Sequence, residues 1–170
     1  MRRLMFISLS LFFLFGSLDS FAQPKRAITI NPIGLVFGTF NAQFELALSE
    51  RNAVAIRGNY VGYDIGSYKN SAFGGGAHYK WYFNNKAITG IWAGPAADVL
   101  LWTADWDVFG ISKSETTLFA GVGADLGYKW AWGKFCLELS AGGRFYFGEI
   151  SGLSFGGFLP SLGLGVGYAW

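Results

Sequence analysis

Charge is scarce in this sequence: Asp, Glu, Lys and Arg make up 14% of its 170 residues, against roughly a quarter in an ordinary soluble domain. That shortage argues that much of the exterior meets something other than water. Long apolar runs are lacking too, once residues 1–22 are set aside. Beyond them Gly, Asn, Lys or Asp interrupts every apolar stretch before the roughly 18 to 20 residues of a helical span. Cysteine occurs once, at Cys136, which excludes an intramolecular disulfide and, so far from the N-terminus, an acylated lipoprotein start. Histidine also occurs once, at His78. With no Cys–His or carboxylate cluster at ligand spacing, nothing in the sequence asks for a metal or a cofactor. The formal net charge of +2, with no basic stripe, argues against nucleic acid as a partner.

What is present is apolar (52%) and unusually aromatic (19%). Apolar surface without a spanning helix leaves one architecture that satisfies its own backbone in lipid, the closed β-barrel. The first residues fit export. Arg2 and Arg3 form a basic start, residues 4–15 an apolar stretch, and Ser20-Phe21-Ala22 a small-x-small ending, so residues 1–22 read as a signal peptide cleaved before Gln23. The remaining segment, 23–170, has room for eight tilted strands of about ten residues plus turns.

Turn formers divide it accordingly. Ser49-Glu50-Arg51-Asn52, Asn84-Asn85-Lys86 and Ala131-Trp132-Gly133-Lys134 are short, whereas polar stretches at 66–71, 103–115 and 149–154 read as longer loops. Such alternation of short and long connections is that of periplasmic turns and external loops, with both termini periplasmic. An even strand count requires a hairpin within 25–48, its bend near Gly38-Thr39, although Pro32 and Gly34 could also turn the chain. Pro95 in the segment 87–102 predicts a bulge or an irregular stretch.

Period-two alternation carries the strand assignment. At the C-terminus Leu162, Leu164, Val166, Tyr168 and Trp170 share one face, and Ser161, Gly163, Gly165, Gly167 and Ala169 the other. The same split recurs upstream, with bulky apolar groups on one face and Glu45, His78, Lys80, Asp125, Lys129, Glu138 or Arg144 on the other. Reversing the faces would point Lys80, Lys129 and Arg144 into hydrocarbon at up to roughly 2–4 kcal/mol each near the midplane. The charged face is therefore the lumen. Aromatics gather at strand ends: Trp81, Phe83, Trp130, Trp132, Phe135, Tyr168 and Trp170 beside the short turns, and Tyr60, Tyr63, Trp102, Phe145, Phe147, Phe155 and Phe158 beside the long stretches. Two girdles at two lipid interfaces are the expectation.

The C-terminal pattern Gly165, Tyr168, Trp170 resembles the assembly signal of outer-membrane barrels, although the terminal residue there is more often Phe and the upstream polar position is Gly163 here. The resemblance implies the barrel-assembly machinery as a partner during biogenesis. The chain 23–170 looks like the small eight-stranded, antiparallel up-and-down outer-membrane class that includes OmpX and the OmpA membrane domain. Its start, Asn31-Pro32-Ile33-Gly34-Leu35-Val36-Phe37-Gly38 followed by Phe44-Glu45, is similar to an uncharacterised family of small outer-membrane proteins of the Bacteroidetes type. These resemblances imply a fold and a bacterial outer-membrane location amid lipid and lipopolysaccharide; they imply no activity.

The lumen-facing polar set comprises Glu45, Arg57, Asn59, His78, Lys80, Asp98, Asp125, Lys129, Glu138, Ser140 and Arg144. Counting from the turns sets Glu45 opposite Arg57 with Lys80 at similar height, and makes Lys129 and Glu138 a diagonal pair. Balanced signs favour a salt-bridged plug in a barrel just wide enough for side chains. An enzymatic alternative, a lipid A deacylase-like hydrolase, needs His78 and Ser140 oriented by Asp125 or Glu138. The chain has His78-Tyr79-Lys80, however, where small lipid-deacylating barrels carry His-x-Ser. A third reading has glycine-rich lumen positions such as Gly74, Gly76, Gly121, Gly123 and Gly127 leaving a cavity for an apolar ligand, as a binding or transport barrel. The stretch 103–115, with Trp106 between Asp105 and Asp107, is the expected external contact surface; its Asp-x-Asp lacks the rest of a calcium loop.

Overall fold

A computed structural model describes residues 23–36, 38–65, 68–84, 86–108, 111–150 and 153–170; the expected signal peptide, 1–22, lies outside the described residues. Eight strands form a closed antiparallel barrel in chain order: β1 (Arg26–Ile30), β2 (Thr39–Ala47), β3 (Asn52–Ile65), β4 (Tyr68–Tyr82), β5 (Gly90–Val108), β6 (Ile111–Trp132), β7 (Phe135–Ile150) and β8 (Leu153–Ala169). A five-residue helix, α1 (Pro32–Val36), separates β1 from β2.

The strands tilt strongly. Cross-strand partners followed once around the ring run from Ile28 through Phe44, Ile56, Ala77, Ala97, Val122 and Phe145 to Phe158. Ile28 itself is paired across the closing seam with Tyr168, so the walk returns ten residues away (168 − 158). A stagger of that size in eight strands corresponds to a tilt of roughly 40° and an interior filled by side chains.

The alternation read from the sequence maps onto two environments. Phe44, Ile56, Phe73, Val99, Leu101, Leu118, Val122, Leu126, Leu139, Phe145 and Leu162 stand exposed on the outside, whereas Glu45, Lys80, Lys129 and Arg144 are buried inside. An exterior of that kind is at home only in an apolar medium.

Of three sequence expectations, one is corrected here and two are narrowed. The stretches 66–71, 103–115 and 149–154 are not long loops: pairing continues to Ile65 opposite Tyr68, Val108 opposite Ile111 and Ile150 opposite Leu153. Polar residues do not forbid such pairing, because an antiparallel ladder satisfies its backbone whatever its faces meet. Pro95 makes no bulge. The β4–β5 register is the same on both sides of it, from His78 opposite Ala96 to Trp81 opposite Ala93, and only the ladder opposite Gly94 and Pro95 lapses. Lastly, the first hairpin bends at Gly38 (φ +72°), but Asn31–Pro32 has already ended β1. The Asn31 side chain accepts from the amides of Ile33 (3.1 Å) and Gly34 (3.0 Å), and Pro32 supplies the fixed φ of a first helical position.

The end that holds Gln23 and Trp170 is closed by an apolar floor. The connection from β4 to β5 turns inward, placing Ile88, fully buried, against Ala27, Cys136 and Ala169, while Ala87 packs with Ala53, Tyr82 and Trp92. A backbone bond from Ala87 N to Glu50 O (2.8 Å) and a bond from the Gln23 side-chain Nε2 to Ala87 O (3.3 Å) hold it there.

Candidate functional site: two tiers of buried charge

Above this floor the lumen is crossed by charges from six strands. The lower tier is Glu45 (β2), Lys80 (β4), Lys129 (β6) and Glu138 (β7). Lys80 Nζ donates to Glu45 Oε2 at 2.9 Å and to Glu138 Oε1 at 2.7 Å; Lys129 Nζ donates to the same Glu45 oxygen and lies 2.6 Å from Glu138 Oε2. Each lysine thus meets both carboxylates. Tyr82, two residues along the same face from Lys80, donates its hydroxyl to Glu45 Oε1 at 2.5 Å. Charges this deeply buried persist only when paired in this way.

The upper tier is Arg57 (β3), Asp98 (β5), Asp125 (β6) and Arg144 (β7). Arg57 holds Asp98 through Nε (3.0 Å) and a terminal nitrogen (2.7 Å). Arg144 reaches Asp98 through Nε (2.7 Å) and Asp125 through both terminal nitrogens, and Ser161 on β8 donates to Asp125 at 2.8 Å. Trp92 lies between the tiers, with Lys80 Nζ 4.2 Å from its ring centroid and His78 beside it at 6.4 Å.

Several placements differ from turn counting. Arg57 stands opposite Gln43 rather than Glu45, and it belongs to the upper tier with Asp98. Asn52 is already part of β3, its carbonyl bonded to the Leu48 amide at 2.8 Å, so the β2–β3 turn is shorter than counted and the register moves by two. Lys129 and Glu138 are directly opposed, not diagonal. Trp102 shares the inward face of Trp92 and Asp98 and so leaves the outer girdle; it stands opposite Ala72 and Thr117, both buried. Trp81, Phe83, Trp132, Tyr60 and Phe145 are exposed on the outside, and Trp130 stacks against Trp132 with centroids 6.4 Å apart. Tyr82, Trp92 and Ser161 were absent from the sequence-derived set, although the parity that marked Lys80, Asp98 and Gly163 marks them equally.

His78 is poorly placed for catalysis. Arginine can only donate, so the 3.0 Å contact from Arg144 occupies the lone pair on Nε2 and leaves the ring proton on Nδ1, 3.5 Å from Asp125 Oδ2. Ser140 lines a neighbouring cavity of about 120 Å³ with His78, but both ring nitrogens face the upper tier. The lumenal glycines leave room that large side chains use: a Cβ on Gly76 would lie 1.9 Å from the Asp98 carboxylate, and one on Gly127 2.8 Å from the Trp92 ring. They are close-approach positions rather than the walls of an empty ligand chamber. Among the described residues no group of three or more His, Cys, Asp or Glu side chains could hold a metal ion.

The fold has solved counterparts. The crystal structure of Ail, the attachment invasion locus protein of Yersinia pestis, matches with a TM-score of 0.59 at 13% identity, over 88% of this chain and 100% of that one. The N-terminal β-barrel domain of Pseudomonas aeruginosa OprF matches at 0.49 and 15% identity, over 85% and 94% of the two chains. The likeness to Ail shows a shared fold. No curated protein matches the chain. Residues 6–151 match a family described as a protein of unknown function, DUF3575.

Proposed function

The chain belongs to the DUF3575 family, whose description assigns no activity, and on the geometry above we propose that it is an integral barrel of the bacterial outer membrane with a lumen closed by its own side chains, acting through its surface rather than as a pore or an enzyme. The ring in which Lys80 and Lys129 each meet Glu45 and Glu138 carries this reading. An ion crossing would have to separate charge pairs whose members are buried in the lumen. Gln23 and Trp170, the two ends of the described residues, lie at the floor end, which becomes the periplasmic side after removal of residues 1–22, and the ribbons of β5–β6 and β7–β8 project outward. β6 alone has 22 residues, about twice the ten that a tilted strand needs to cross.

Lipid and lipopolysaccharide surround the girdle, the C-terminal Gly165, Tyr168 and Trp170 meet the barrel-assembly machinery during biogenesis, and the β5–β6 tip, 103–115, offers a contact surface to an external ligand. The decisive experiment is planar-bilayer recording of purified protein. The expected trace is flat at any salt concentration; steady single-channel openings overturn the closed lumen. Mass analysis of lipopolysaccharide lipid from cells with and without the protein, and with His78→Ala, is expected to give one acylation profile. A profile that changes with His78 restores the hydrolase.

A further inference from the structure

Among the described residues, the hydrogen-bonded wall of the barrel is incomplete along one seam. β8 runs from Leu153 to Ala169, but its pairing with β1 spans only Ala169 opposite Ala27 to Val166 opposite Ile30. Two more residues along the same register would set Pro32 opposite Leu164, and proline has no amide to offer. Arg26 and Trp170 exchange both of their backbone bonds (2.9 Å each), so every second residue from Trp170 turns its backbone toward β1: Val166, then Leu164, Leu162 and Pro160. Above Val166 that edge meets α1, which packs on both β2 and β8. Among the described residues no backbone hydrogen bond joins α1 to β8. Pro160 falls where a missing amide costs least, as prolines of free edges do.

The cavity of about 120 Å³ reaches the wall at this gap. Ile30, Leu162 and Leu164 line it at the seam, and Leu162 is 88% exposed. Inside, Thr29, Gln43, Asn59 and Ser140 line it with side chains that make no hydrogen bond to another described residue. Its charged members are already engaged, Arg57 by Asp98 and Glu138 by Lys80 and Lys129. What the cavity offers a visitor is therefore uncharged donors and acceptors. On the outer surface a second, apolar hollow of about 620 Å³ runs from Ile28 and Phe44 past Gly58 and Gly75 to Leu118, and Ala42 and Gln43 border both spaces.

We infer that the gap between β8 and the β1–α1 junction is a lateral portal, through which one membrane amphiphile places a neutral hydrogen-bonding group, a hydroxyl or an amide, in the polar cavity while its acyl chain lies in the apolar hollow. Lipid has no water with which to satisfy the free edge of β8, and such a group supplies the missing partners. The inference rests on the transmembrane reading proposed above. It is independent of whether the lumen conducts.

The test uses the barrel in detergent micelles or nanodiscs, followed by amide NMR during titration with N-tetradecanoylethanolamine, tetradecanoate or tetradecane. Saturable shifts centred on Thr29, Gln43, Asn59 and Gly163 are expected with the ethanolamide, at least tenfold weaker binding with the carboxylate, and no localised response to the alkane. Asn59→Leu and Thr29→Val, each checked for heat-resistant gel migration as a folded barrel, are expected to weaken ethanolamide binding by tenfold or more. Equal responses to ethanolamide and alkane, shifts spread around the whole girth, or unchanged binding in both folded variants overturn the portal. Failure of the transmembrane reading has a different signature, a protein that stays soluble and folded without detergent.

Discussion

Glu45 accepts from three donors at once, the ammonium groups of Lys80 and Lys129 and the hydroxyl of Tyr82. Replacing it by Gln strands two buried cations with one remaining carboxylate, so Glu45→Gln is expected to destabilise the barrel by about 3–5 kcal/mol, read from urea unfolding in micelles. Tyr82→Phe removes one hydrogen bond to a charged acceptor, and a loss of about 1–3 kcal/mol is expected in the same assay. The identities of these groups were legible because parity alone separates lumen from lipid. Their partners were not. Contacts across the lumen depend on the tilt and on where each turn begins, and Asn52 entering β3 moved Arg57 from Glu45 to Gln43 and gave its charge to Asp98.

β5 and β6 continue far beyond the last lumenal charge, pairing through Trp102 opposite Thr117 to Val108 opposite Ile111. Excising residues 104–113 and rejoining the strands through Asn-Gly is therefore expected to leave a heat-modifiable barrel whose urea midpoint is close to that of the intact chain. Collapse to an unfolded gel species contradicts this. The sequence conveyed strands inside the membrane but mistook those outside it for loops, since a ribbon wetted on both faces loses the apolar alternation by which strands are recognised. α1 escaped for another reason. Five residues are too few to show a helical period, and the pair Asn31-Pro32 reads equally as a turn and as a helix start.

Six of the eight seams are long; the two that β1 makes are short, and the one that closes the barrel is fastened mainly where Trp170 accepts from both Lys25 (2.8 Å) and Arg26 (2.9 Å) and donates back to Arg26. Removing Trp170 deletes three backbone hydrogen bonds from the closing seam, so the truncated chain is expected to insert into lipid vesicles several-fold more slowly, followed by the heat-modifiable gel shift. An unchanged rate would assign closure to the floor around Ile88 instead. The strand number was readable in outline from the amino acids. The incomplete seam was not, because it depends on which residue of β1 faces which residue of β8. The two tiers of charge also bear on how the molecule meets an electric field. Glu45 and Glu138 balance Lys80 and Lys129, and Asp98 and Asp125 balance Arg57 and Arg144, so a potential across the bilayer finds no net charge in the interior to pull. Those eight lumenal groups therefore offer a voltage across the bilayer paired charges and no free gating charge.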